Sequence, residues 1–181
     1  MIRRSGTAST TALLMFFCLS LVRVPAASLD PVVTEGIVNG SVDDVWKAFT
    51  DKSVIEKWMV AKTDIDLKVG GLWRTSYSKE SDLNDDMAIH HTVLAFDPGR
   101  MLAFRTIKTP KSFPYPAITH TWTVVYFEPA GAGKTRVTTR MIGFEDVDQG
   151  RRMRVFFERG NQTEFDSLVK FFETGAPQPV K

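Results

Sequence analysis

The sequence predicts an α+β fold: a curved antiparallel sheet of about seven strands around one long C-terminal helix, with two short helices after the first strand. Three observations predict it. A helix-capping pattern at Ser41 and Asp44 follows directly on the apolar strand pattern from Val32 to Val38. Period-two alternation then begins near Thr63 and returns in successive segments up to Phe144, each bounded by Gly or Pro turns. Finally, Phe157, Asn161, Phe165, Leu168 and Phe172 recur at spacings of four or three, which is one stripe of a helix. The 181 residues are one domain's worth of chain, and 43% hydrophobic content with 13 Phe and 4 Trp suffices for a core, which argues against disorder.

The elements follow in order. Val45, Trp46, Ala48 and Phe49 belong to the first short helix, and Val54 to Trp58 reads as a second, with Ser53 as its cap. Ile65 and Leu67, the pair Gly70-Gly71, then Trp73, Thr75 and Tyr77 on one face make a hairpin. Ala88 to Phe96, the turn Asp97-Pro98-Gly99 and Met101 to Lys108 make the next pair of strands. After a Pro-rich loop from Pro110 to Pro116, strands are predicted over Ile118 to Glu128 and Thr135 to Phe144, flanking a Gly-rich turn. In the first of these segments the alternation leaves two registers open around Trp122 and Tyr126. The last helix is expected near Asp148 and ends at Gly175 and Pro177; Gly150 and Gly160 predict a kink or a late start.

Residues 1–26 read as a secretory signal peptide: Arg3 and Arg4, an apolar run from Ala12 to Val22, then small residues around Ala26. The run is shorter than the roughly 20 residues a bilayer-spanning helix needs, so cleavage is expected, leaving a domain at 27–181 with no stable membrane insertion and a periplasmic or secreted location. Cleavage removes three arginines and no acid, leaving 20 basic against 21 acidic residues, a net −1. Nucleic acid needs a basic patch, and no mature run of Lys or Arg exceeds Arg151-Arg152, so nucleic acid is not expected as a partner. Cys18 is the only cysteine and lies in the leader, so the mature chain has no disulfide and no thiolate.

Val45-Trp46-Lys47-Ala48-Phe49-Thr50-Asp51, Trp58 and Asp66-Leu67-Lys68-Val69-Gly70-Gly71-Leu72-Trp73-Arg74 resemble the opening of activator of heat shock protein 90 ATPase homologue-like domains. Asp97-Pro98, Glu128-Pro129, Thr135-Arg136-Val137-Thr138, Gly143-Phe144 and the Gly160, Phe165, Leu168, Phe172 stripe follow in the same order, so the resemblance covers nearly the whole mature chain. It implies the helix-grip fold of the START and Bet v 1-like (SRPBCC) superfamily, with a hydrophobic cavity between sheet and helix. That superfamily includes carriers, sensors, cyclase-like enzymes and co-chaperones, so the resemblance carries over no catalytic residue. Where family members often have Trp after the last helix's glycine, this chain has Asn161.

The cavity is expected to take a small apolar or amphipathic molecule, with Trp58, Trp73, Tyr77, His91, Phe104, Phe157 and Phe165 as ligand-binding candidates. A cyclase-like or isomerase-like enzyme would use His91 with Tyr77, since a histidine in an apolar cleft can move protons and a phenol can orient a ligand. An interaction module, the third class, would show a contiguous exposed apolar patch. No cofactor and no metal are expected. His90 and His91, strand neighbours, point to opposite faces and cannot both bind one ion, so His120 would have to supply a second ligand. Gly131 to Thr135 lacks a phosphate loop's context, and Asp82, Asn84 and Asp86 precede Met87 where a calcium loop needs glycine. A monomer or homodimer fits this reading.

Overall fold

The computed structural model describes residues 27–176; the leader, Cys18 and Pro177 lie outside them. Strands β1 (Val32–Val38), β2 (Lys62–Ile65), β3 (Leu72–Ser76), β4 (Ile89–Asp97), β5 (Met101–Lys108), β6 (Trp122–Pro129) and β7 (Thr135–Ile142) form one antiparallel sheet in the order β1-β7-β6-β5-β4-β3-β2. Helices α1 (Val42–Thr50) and α2 (Lys52–Trp58) carry the chain from one sheet edge to the other, and α3 (Asp148–Thr174) lies across the sheet. The seven strands, two short helices and long final helix agree with the sequence expectation.

Local chemistry explains the element boundaries. Ser41 Oγ accepts from the Asp44 amide at 3.2 Å and donates to its carboxylate at 2.6 Å, which opens α1. The second helix starts at Lys52 and is capped by Asp51 instead of Ser53: the Asp51 carboxylate accepts from the Ser53 amide at 2.8 Å. A full negative charge suits the helix N-terminus better than a hydroxyl, so the helix extends back to it. The strand expected from Ile118 begins at Trp122. Pro116 to His120 form a 3-10 turn, which Pro116 favours at its first positions and Thr121 closes through its hydroxyl bond to the Ile118 carbonyl at 2.8 Å.

The open register of β6 is settled by its pairing with β7. Trp122 lies opposite Ile142 and Tyr126 opposite Thr138, both on the outer face, which turns Thr123, Val125 and Phe127 inward. Helix α3 starts at Asp148 and runs unbroken through both glycines, so the expected late start does not occur. A Cβ at Gly150 would lie 2.1 Å from the Glu145 carbonyl oxygen, so this glycine permits the close entry of the chain into the helix. Gly36 on β1 performs a similar service, because a Cβ there would stand 2.5 Å from the Phe165 ring.

Two apolar clusters hold the sheet to the helices. The larger joins Val45, Ala48, Ile55 and Trp58 of α1 and α2 to Leu102, Val125, Val137 and Leu168. The smaller gathers Val32, Ile118, Met141, Phe144 and Met153. They do not merge, and the space between them is the site described next.

Candidate functional site

Between the inner face of the sheet and α3 lies a cavity of about 360 Å³. It touches both clusters: Phe49, Trp58 and Leu168 line it from one side, Ile118 and Met141 from the other. This volume lies in the lower part of the roughly 300–1,000 Å³ range typical of small-molecule pockets.

The aromatic wall is held rigidly. The Trp58 indole donates to the Ala48 carbonyl at 2.8 Å and meets Phe49 edge-on at 5.2 Å. The Trp73 indole donates to Thr63 Oγ1 at 2.9 Å, and Phe104 packs edge-on against it at 4.9 Å. Both indole N–H groups are therefore satisfied within the protein, and the rings present apolar surface to the cavity. From the loop after β5, Phe113 contacts Phe156 and Phe157 at 5.9 and 6.2 Å and closes the wall against α3.

His91 faces the cavity and His90 does not, as alternation along β4 requires; His90 instead hydrogen-bonds the Leu83 carbonyl oxygen through Nε2 at 3.0 Å. Both ring nitrogens of His91 are occupied: Nδ1 lies 3.1 Å from Thr106 Oγ1 and Nε2 lies 3.4 Å from Thr75 Oγ1. A neutral imidazole offers one donor and one acceptor, and a threonine hydroxyl can serve either. Burial, with the charge of His90 adding to it, pushes the His91 pKa down to about 3. It is a neutral, fixed part of the wall at physiological pH.

The exceptional group is Glu164. Its carboxyl reaches the cavity from α3, and it has no hydrogen bond or ion pair among the described residues. Burial raises its pKa to about 7. Among the described residues no Lys or Arg lines the cavity, and Tyr77, His91 and Glu164 are its titratable residues. Tyr77 is about half exposed, at 53%, yet the charge of the nearby Glu164 carboxylate, with burial second, drives its pKa well above the ordinary value. Asn161, one turn before Glu164, adds an amide to the same wall, and neither it nor the Tyr77 hydroxyl has a hydrogen-bond partner among the described residues.

The model of the family described as Activator of Hsp90 ATPase homolog 1-like protein matches residues 39–173. The chain belongs to this family. No curated protein matches it. Among solved structures, the protein MLL2253 from Mesorhizobium loti is 22% identical, with a TM-score of 0.62 over 79% of this chain and 96% of that one. The Aha1 dimer from Colwellia psychrerythraea is 15% identical, with a TM-score of 0.61 over 81% and 98%. Norcoclaurine synthase from Thalictrum flavum, solved in complex with dopamine and hydroxybenzaldehyde, is 11% identical, with a TM-score of 0.58 over 90% and 96%. These likenesses establish the helix-grip fold of this Aha1-like domain.

In this member of the Aha1-like family the fold brings Trp58, Trp73, Tyr77, His91, Phe104, Phe157 and Phe165 to one cavity. Tyr77 reaches it from just beyond the end of β3, since that strand stops at Ser76. His91 and Tyr77 share the cavity but make no hydrogen bond to each other: His91 is spent on two threonines and Tyr77 looks toward Glu164. Glu164 is absent from the sequence-based candidates. It stands three residues after Asn161 and seven after Phe157, so continuing the stripe by three and four would have placed a carboxyl on the inward face. No group of three or more His, Cys, Asp or Glu suited to a metal occurs among the described residues. The Asp82 to Asp86 segment is instead a chain of turns, with Asp82 Oδ1 accepting from the Asn84 and Asp85 amides.

Proposed function

We propose that this Aha1-like domain is exported and binds a small hydrophobic or amphipathic molecule in the cavity between the sheet and α3. One observation carries the reading: the cavity stays open beside the Trp58 and Trp73 indoles, whose N–H groups are already satisfied, so a ligand's apolar body displaces water from that wall at no cost in lost protein hydrogen bonds. The norcoclaurine synthase structure, in complex with dopamine and hydroxybenzaldehyde, supports it as an example of this fold holding small aromatic molecules. A chaperone-activator role finds less support, because the outer sheet face interrupts Val33, Ile37, Trp122 and Tyr126 with Glu35, Arg136 and Arg140, and Arg136 pairs with Glu35 at 2.7 Å.

Trp58 and Trp73 make the test direct. Titrating the mature domain with the uncharged dye N-phenyl-1-naphthylamine and with uncharged aryl alcohols should change their fluorescence saturably, and Phe165→Trp, which fills part of the cavity, should abolish the change. A flat titration with every probe would overturn the reading. Export is checked separately: cell fractionation should recover a chain that begins near Ala27, and an intact chain in the cytosol would refute it.

A further inference from the structure

We propose that the cavity selects an amphipathic organic amine, its ammonium group seated on the Glu164 carboxylate between Asn161 and the Tyr77 hydroxyl, and its apolar body among the aromatic rings. The inference rests on the cavity being a ligand site and deepens that reading by naming the ligand class. It starts from an imbalance. A carboxyl group that lines the cavity beside Phe157, Phe165 and Leu168 has no cation and no hydrogen-bond donor among the described residues, whereas buried charges elsewhere in proteins are paired. The missing partner is a cation, and it must come from outside.

The chemistry narrows the choice. An ionised carboxylate only accepts hydrogen bonds; the amide oxygen of Asn161 and the hydroxyl oxygen of Tyr77 can also accept. A primary ammonium has three N–H donors and no acceptor, and three acceptors, two from α3 and one from beyond β3, line the cavity to answer it. An anionic ligand would meet like charge with no Lys or Arg in the cavity to offset it. An uncharged alcohol would fill the same apolar space and leave the carboxylate unpaired. A hydrated inorganic cation would bind the carboxylate but gain nothing from the surrounding rings, which favour an organic cation over their faces.

Three probes of one shape test this: 4-phenylbutylamine, 4-phenylbutanol and 4-phenylbutyrate, each titrated into the mature domain with tryptophan fluorescence and calorimetry as readouts. At pH 8 the amine should bind at least about tenfold more tightly than the alcohol, as a charge-assisted contact requires, and the carboxylate should bind most weakly. Glu164→Gln, with its fold checked by circular dichroism, should bring amine and alcohol to equal affinity without loss of the alcohol. The wild-type protein supplies an arm that needs no variant: at pH 5.5 the amine preference should shrink toward unity as Glu164 takes up a proton. The other titratable groups of the cavity, His91 and Tyr77, stay uncharged throughout that range. Equal affinities of amine and alcohol at pH 8, or a preference for the carboxylate, would overturn the amine inference and leave the cavity reading standing. Failure of all three probes to bind would remove both.

Discussion

Glu164 and His91 sit in the same cavity and respond to burial in opposite directions, which makes the pH dependence of stability a residue-scale test. For Glu164 the folded-state pKa, about 7, lies above its ordinary 4.5, so the native state keeps a proton that the unfolded chain releases. Its contribution is complete at low pH and is lost as pH rises from about 4.5 to about 7, a loss on the order of 3 kcal/mol. For His91 the folded value, about 3, lies below 6.5, so its contribution is complete above pH 6.5 and is lost as pH falls toward 3. Between roughly pH 4.5 and 6.5 the two slopes oppose each other. Urea unfolding of Glu164→Gln at pH 4, 6 and 8 should therefore show a variant that gains on the wild type with each step upward in pH, most at pH 8. His91→Gln should lose stability through its two threonine contacts, yet fall less steeply than the wild type below pH 6.5. A wild-type curve parallel to both variants would mean that neither group is perturbed by the cavity.

At the scale of elements, α3 holds two glycines whose surroundings differ. Helix propensity alone predicts that replacing either with alanine stabilises the protein by about 1 kcal/mol. Gly160 is exposed with nothing within 4 Å of an added Cβ, so Gly160→Ala should follow propensity and raise the urea midpoint. Gly150 would drive its Cβ to 2.1 Å from a backbone oxygen that has no flexible way to retreat, so Gly150→Ala should lower the midpoint despite the same propensity gain. The N-cap of α2 gives a further check: Asp51→Ala should cost about 1 kcal/mol, whereas Ser53→Ala should cost less, since Asp51 is the residue that accepts from the helix amides.

Across the whole molecule, an unfilled space between two cores means that stability and occupancy are linked. A ligand that binds only the folded domain at 100 times its dissociation constant adds about 2.7 kcal/mol. For a domain of this size that corresponds to a rise in Tm of roughly 5–10 °C, measurable by thermal unfolding with 4-phenylbutylamine and absent from Phe165→Trp. The two clusters depend on the same arrangement: α3 spans both, contributing Leu168 to one and Met153 to the other, so the helix fixes the cavity's dimensions as well as its roof.

The sequence by itself determined the fold. Alternation, caps, turn glycines and one helical stripe are local signals, and here they agree with one another and with the family's motifs from residue 39 to 173. It also determined the wall: Trp73 and Thr75 had to share a face, and Phe157, Phe165 and Leu168 had to face them. What only the tertiary structure decided depends on pairing between distant segments. The inward register of β6 needed β7; the 3-10 turn at Ile118 took residues that alternate like a strand; and Gly150 tied the start of α3 to Glu145. The roles of the polar groups were decided in the same way. Sequence offered His91 as the proton carrier, but burial keeps it neutral and threonines from two other strands hold its ring, while Glu164, an unremarked position in a helical stripe, is left without a partner among the described residues. A group's charge is set by what surrounds it, and those surroundings come together only when the sheet closes around the helix.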